Sequence, residues 1–211
     1  LGAGFDTTSA TLAWLLLRAA GTPGLWDRLA DEADAVFSKI GDGGEPDHTT
    51  LAALDHADRT VRESLRLHPP GAFGVRETAT DVIAGGYLIP RHTIVAWSPH
   101  LAGRDPQYWP DPLRFDPDRH LDPTPEHAAP AKAAWVPFGG RARSCTGFAL
   151  AQIELALIVA RLAQRLHLAP AGTAVPSLAE GRQTGVERDD PHVPTRRSHP
   201  RGGAKLHLTP R

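Results

Sequence analysis

Cysteine, methionine and lysine are what this sequence has least of. Among 211 residues there is one Cys, no Met, and Lys only at 39, 132 and 205. A lone Cys145 cannot close an internal disulfide, so the fold owes nothing to an oxidising compartment and the cytoplasm is the expected location. A formal net charge of -1 supplies no field that would gather nucleic acid or an acidic membrane surface, and neither partner is expected. Long apolar runs are missing too. Thr11 to Leu17 and Ile153 to Ala160 are short or broken by Arg18 and Glu154, well under the roughly 20 residues a membrane span needs, so no membrane segment is expected. No signal peptide opens the chain, and Leu1 to Gly21 already reads as helix, so the sequence reads as starting inside an element.

What is present is ordinary in bulk and uneven in kind. With 41% hydrophobic and 22% charged residues the chain can bury one sizeable core, which excludes disorder throughout. All but three of its 23 basic residues are Arg, whose rigid fork holds carboxylates better than Lys does. That Arg, with abundant Ala, Gly and Pro, resembles GC-rich bacterial coding.

Hydrophobic spacing predicts a helix over 5–20, stopped by Gly21, Pro23 and Gly24. A second amphipathic helix follows, with Leu25, Leu29, Ala33, Val36 and Ile40 on one face. Residues 41–47 read as a loop. A third helix runs from Leu54 to Leu67 and ends before Pro69 and Pro70. Short β-branched runs around Gly85 and Gly86, reaching to Ala96, carry a hairpin signature. From Gly103 to Pro137 eight prolines predict an irregular meander without helix. A last long helix is expected from about Thr146 to Leu166, on a stripe of Phe148, Ala151, Leu155, Val159, Leu162 and Leu166. A loop and a short strand pair close the chain.

Cys145 follows a Gly-Gly turn, lies beside Arg141 and Arg143, and precedes the last long helix. Guanidinium charge and a helix dipole both favour thiolate over thiol, which suits a sulfur that ligates a metal. Two other readings stay open on chemistry alone: a buried Cys acting as a small hydrophobe, and a nucleophile served by one of the 11 His.

The segment WVPFGGRARSCTGFALAQIEL resembles the haem-binding loop of the cytochrome P450 family, with Phe138, Gly139, Arg143, Cys145 and Gly147 in register. Arg141 stands where that family usually has Gly, and Thr146 where an apolar residue is commoner. The resemblance implies that Cys145 is the proximal iron ligand, that Phe138 packs near it, and that Arg143 pairs with a haem propionate.

Three further motifs resemble the family in the expected order. Glu63 and Arg66, three apart on a helix, share one face; such a pair is ordinarily a solvated surface bridge, and the resemblance makes it structural, joined by Arg119 from FDPDRH. His120, in the usual place of an aromatic, reads as a surface histidine without a partner. Arg76 matches an Arg that holds a propionate ahead of a hairpin. Ala3 to Thr8, AGFDTT, resembles the oxygen-binding stretch of a long helix over the distal haem face. There Asp6 would deliver protons and Thr7 orient oxygen, whereas alone the Asp-Thr-Thr cluster would read as a helix N-cap.

The expected fold is mainly α with small β hairpins (α+β): a C-terminal portion of the cytochrome P450 fold, in which a long distal helix and a cysteine loop with its proximal helix sandwich haem b. Residues 1–211 would be a partial haem-thiolate domain whose N-terminal part is absent. The implied reaction is RH + O2 + two electrons + two protons giving ROH and water, on a small organic substrate. No flavin or nicotinamide fingerprint is present, so a separate ferredoxin or flavoprotein would donate electrons, docking near Arg141. A non-enzymatic haem-binding or sensing protein, or an inactive truncated fragment, is the alternative.

Overall fold

The computed structural model describes residues 2–40, 44–121, 125–170 and 206–211, the side chains of 125–129 excepted. Its first helix, α1 (Gly2–Gly21), ends at the glycine expected to stop it. Gly24, at φ +72°, then turns the chain into α2 (Leu25–Phe37), whose apolar face is buried. Next comes α3 (His48–Ala53), which periodicity did not predict because six residues are too few to show it. Its start is fixed chemically. The Asp47 carboxylate accepts from the Thr49 and Thr50 amides at 3.0 and 2.9 Å, and the Thr50 hydroxyl accepts from the Asp47 amide at 3.2 Å, a capping box.

The helix α4 (Asp55–Leu67) buries ten of its residues, polar as well as apolar. Its N-terminus is satisfied from α2, since the Glu32 carboxylate accepts from the His56 and Ala57 amides at 2.6 and 2.9 Å. The last long helix, α7 (Phe148–Arg165), starts two residues later than its periodicity indicates. It packs against α2 and α4, and α1 packs against α4 and α7. Leu15, Leu29, Ala33, Leu54, Val61, Leu65, Leu155 and Val159 meet in one core. Each fully buried Leu there contributes about 1.5–3 kcal/mol. The expected stripe of α7 is displaced at its start: Leu155 and Val159 are buried, but Phe148 is exposed.

Three two-stranded antiparallel sheets complete the described residues. As expected, β2 (Val82–Ala84) and β3 (Tyr87–Ile89) form a hairpin on Gly85 and Gly86, both at positive φ. The third run, β4 (Ile94–Trp97), instead pairs with β1 (Gly74–Glu77), so this pairing encloses the hairpin. The strand β5 (Leu166–Pro170) continues directly from α7 and pairs with β6 (Leu206–Pro210). The C-terminal loop expected between them falls within 171–205, outside the described residues.

The meander departs from expectation. Beyond α5 (Pro99–Ala102), the proline-rich stretch holds a 3-10 turn over Pro117–His120 and a helix, α6 (Pro125–Ala134). Pro125 occupies the first helical position, where a missing N–H costs nothing. Pro130 removes one internal hydrogen bond, while Ala at 128, 129, 131, 133 and 134 supplies the strongest helix propensity available. Proline count alone overstated its effect. No helix among the described residues is long and apolar enough to cross a membrane.

Candidate functional site: the cysteine loop and the Glu63 network

The loop ahead of α7 is built by its own backbone. The Gly139 amide donates to the Val136 carbonyl at 3.1 Å, in a turn whose Gly139 has φ +73°. A 3-10 turn over Arg141–Arg143 follows, capped by the Ser144 amide and hydroxyl donating to the Arg141 carbonyl at 3.1 and 2.8 Å. The Cys145 amide then returns to the Phe138 carbonyl at 2.9 Å. Cys145 is exposed, two residues before the Gly147 cap of α7. Arg141 has φ +55°, a left-handed backbone that disfavours side chains and explains why glycine suits this place better. Phe138 packs edge-on to Trp135 and near Phe148, with ring centroids at 6.1 and 6.2 Å, and anchors the loop on the helical core.

Arg143 and Arg76 are both exposed; Arg76 lies on β1 and its guanidinium donates to the Val75 carbonyl at 2.7 Å. Asp6 and Thr7 are half-buried in the first turns of α1, inside the helix and not at a cap. The Thr7 hydroxyl donates to the Ala3 carbonyl at 2.8 Å; Ser9 and Thr11 repeat the bond to Phe5 and Thr7 at 2.7 and 2.8 Å. Such back-bonding compensates hydroxyls inside a helix and softens its ladder.

The structure brings Glu63, Arg66 and Arg119 together. Arg66 binds Glu63 through two parallel contacts at 2.8 Å, with both side chains fully buried, unlike the surface bridge their spacing would ordinarily mean. Arg119 Nε donates to Glu63 Oε1 at 2.9 Å, as does the Asp116 amide at 2.9 Å. The two guanidinium groups go on to the meander backbone: Arg66 to the carbonyls of Gly103, Pro112 and Arg114, Arg119 to those of Pro110, Asp111 and Arg114.

His120 is not a surface histidine. Its Nε2 lies 3.0 Å from Glu63 Oε2, with the side chain 11% exposed and the ring 6.0 Å from that of Trp109. Burial works against charge on Glu63, but hydrogen bonds from Arg66 and His120 and the positive charge of Arg66 and Arg119 hold its carboxyl down at about 2.

A second tie escaped the sequence. Asp118 takes two hydrogen bonds at 2.9 Å from Arg28 of α2 and one at 2.5 Å from Arg59 of α4. These contacts, Arg28 first, keep its carboxyl at about 2. Partners 90 and 59 residues away leave no local signal. The meander is therefore riveted to α4 through Glu63 and to α2 and α4 through Asp118.

The residues around Cys145 fit a flat, singly ligated metal cofactor. Among the described residues no group of three or more His, Cys, Asp or Glu could hold a bare ion, and Cys145 is the one thiol of the sequence. A Cβ added at Gly140 or Gly147 would meet nothing within 4 Å, so the flanks of the loop are open to a bulky group. Arg143 and Arg76 could give charge-assisted bonds to its carboxylates.

Comparison with known proteins identifies the family. The family model described as Cytochrome P450 matches residues 1–191. The chain is 35% identical over 170 residues to cyclooctat-9-en-7-ol 5-monooxygenase of Streptomyces melanosporofaciens, covering 81% of this chain and 36% of the relative. It is 36% identical over 163 residues to pentalenene oxygenase of Streptomyces avermitilis, covering 77% and 35%. With the human mitochondrial 25-hydroxyvitamin D-1 alpha hydroxylase it shares 34% over 174 residues, covering 82% and 34%. The chain thus spans little more than a third of the length of these relatives.

Proposed function

The chain belongs to the cytochrome P450 family, and from that premise we propose that it is the iron-ligating part of a haem b monooxygenase inserting one atom of O2 into a small organic substrate. The observation that carries the reading is the exposed sole thiol at the mouth of α7, on a loop closed by its own amide and flanked by open glycines. Haem held there would supply dioxygen reduction and cleavage of the O–O bond, favoured by thiolate donation.

In this reading Cys145 holds the iron as thiolate, with the open flanks at Gly140 and Gly147 leaving room for the ring edge. Arg143 and Arg76 bind propionates, and Phe138, Gly139 and Gly147 keep the loop in place. Asp6 and the Thr7 hydroxyl, neighbours on α1, move protons toward the oxygen-binding face; the bond from Thr7 to Ala3 is one the hydroxyl can exchange for a new acceptor. Glu63, Arg66 and Arg119 hold the meander. Residues 1–211 act as part of a larger haem-thiolate domain, whose remainder would cover apolar side chains exposed here, among them Phe5 and Leu150. A ferredoxin or flavoprotein supplies both electrons near Arg141, in the cytoplasm.

The test is spectroscopic. The chain and the complete reading frame, each supplied with haem, reduced and exposed to carbon monoxide, should give the red-shifted band of thiolate-ligated haem, and Cys145→Ser should abolish it. Retention of the band by the serine variant overturns the ligand assignment. Thr7→Ala should keep the band while product formed per electron consumed falls several-fold; unchanged coupling would remove Thr7 from proton handling.

A further inference from the structure

We propose that Trp97 is a positioning residue for Cys145, tying the cysteine loop to the sheet that carries Arg76. The β1 and β4 register pairs Gly74 with Trp97 and Arg76 with Val95. Paired residues in an antiparallel ladder share a face, and so do alternate residues along each strand. Gly74, Arg76, Val95 and Trp97 therefore lie on one face, while Ile94 and Ala96 are exposed on the other.

On the shared face the indole lies directly over Gly74. A Cβ there would sit 2.6 Å from both Cε2 and Cζ2 of Trp97 and 2.8 Å from Nε1, so no other residue fits without moving the ring. The six-membered part of the same ring also reaches the cysteine loop. At Gly139, whose φ of +73° already favours glycine, a Cβ would meet Trp97 Cη2 at 3.6 Å and Cζ2 at 3.9 Å. Gly139 adjoins Phe138, whose carbonyl receives the Cys145 amide.

The backbone hydrogen bonds that shape this loop are internal to it, from Val136 to Cys145, and leave its height over the sheet free. Phe138 fixes the loop to the helices; Trp97, outside the helical core cluster, fixes it to β1 and β4. One indole thus lies against two glycines, Gly74 of the sheet and Gly139 of the loop. That contact connects the strand bearing Arg76 to the loop bearing Cys145. Its use in catalysis rests on the haem reading above, since those are the two groups that would hold the iron and a propionate.

Hydrogen exchange read peptide by peptide tests the contact without any cofactor. In Trp97→Ala, and independently in Gly74→Ala, amides of residues 136–147 should exchange several-fold faster, while peptides from α2, α4 and α7 keep their rates. Trp97→Phe should lie between wild type and Trp97→Ala. Unchanged exchange over 136–147 in both alanine variants overturns the proposal, as does a rise spread evenly over the helices, which would make Trp97 a general packing residue. In a second arm, haem-loaded Trp97→Ala should show a smaller share of the thiolate band under carbon monoxide. If wild type gives no such band but the loop still loosens, the haem reading falls and the positioning role stands.

Discussion

Glu63 receives hydrogen bonds from two guanidinium groups, one imidazole and one backbone amide, with no access to water. A carboxylate so placed is stable only while its cations remain. Replacing Arg66 by Met keeps much of the stem but removes the bidentate partner of the buried Glu63 charge and frees three meander carbonyls. Loss of one partner of a buried ion pair costs about 3–5 kcal/mol. Denaturant unfolding of Arg66→Met should show a loss of that size; a change under about 1 kcal/mol would mean that the pair is as weak as a surface bridge. The spacing of Glu63 and Arg66 was legible, because helical geometry puts positions three apart on one face. Their burial was not, since it depends on carbonyls 37 to 48 residues away. For the same reason His120 looked like a solvated side chain, whereas the glycine turn ahead of Cys145, being local, was legible at Gly139.

Helices α2 and α4 are joined by a cap that neither sequence segment announces. The Glu32 carboxylate takes the amides of His56 and Ala57 in the first turn of α4, and burial raises its own pKa, with the two amides working in the opposite direction. Replacing Glu32 by Ala should cost about 1–2 kcal/mol, the upper range for a lost helix cap, and should raise hydrogen exchange first at the start of α4. Uniform exchange along α4 would show that the cap does not secure that end. Elements with many periods, α1, α2, α4 and α7, declared themselves in sequence, and β2 with β3 did so through Gly85 and Gly86. The pairing of β4 with β1 was hidden, because strand partners are chosen by tertiary packing and β4 looks equally apt to extend the hairpin. The helix α6 was hidden by its prolines.

At the scale of the whole molecule, three histidines and two carboxylates among the described residues titrate in one direction, with Glu32, raised by burial, opposing them. Burial first, then neighbouring Arg charge, lowers His56 to about 4 and pushes His68 well below its usual range; burial and Arg104 bring His100 to about 4. His68 makes the case concrete, stacked 3.9 Å from the Trp14 ring and accepting from Arg18 Nε at 3.0 Å, a role only a neutral imidazole can fill. A histidine whose folded pKa lies below its unfolded 6.5 binds fewer protons in the fold. Its contribution is therefore complete above that pH and declines as pH falls toward 4. Glu63 and Asp118, both held at about 2 against 4.5 and 3.8, contribute fully above those unfolded values and lose stability as pH falls from there toward 2. The two windows adjoin, so acid should destabilise the chain continuously from pH about 6.5 downward, histidines first and carboxylates after. Melting followed by circular dichroism should show Tm falling already between pH 7 and 5, where no ordinary carboxylate titrates. His68→Asn, which keeps a polar acceptor but cannot take a proton, should flatten that upper limb while leaving the lower one intact; a Tm constant from pH 7 to 5 in the wild type would mean that these imidazoles are protonated inside the fold.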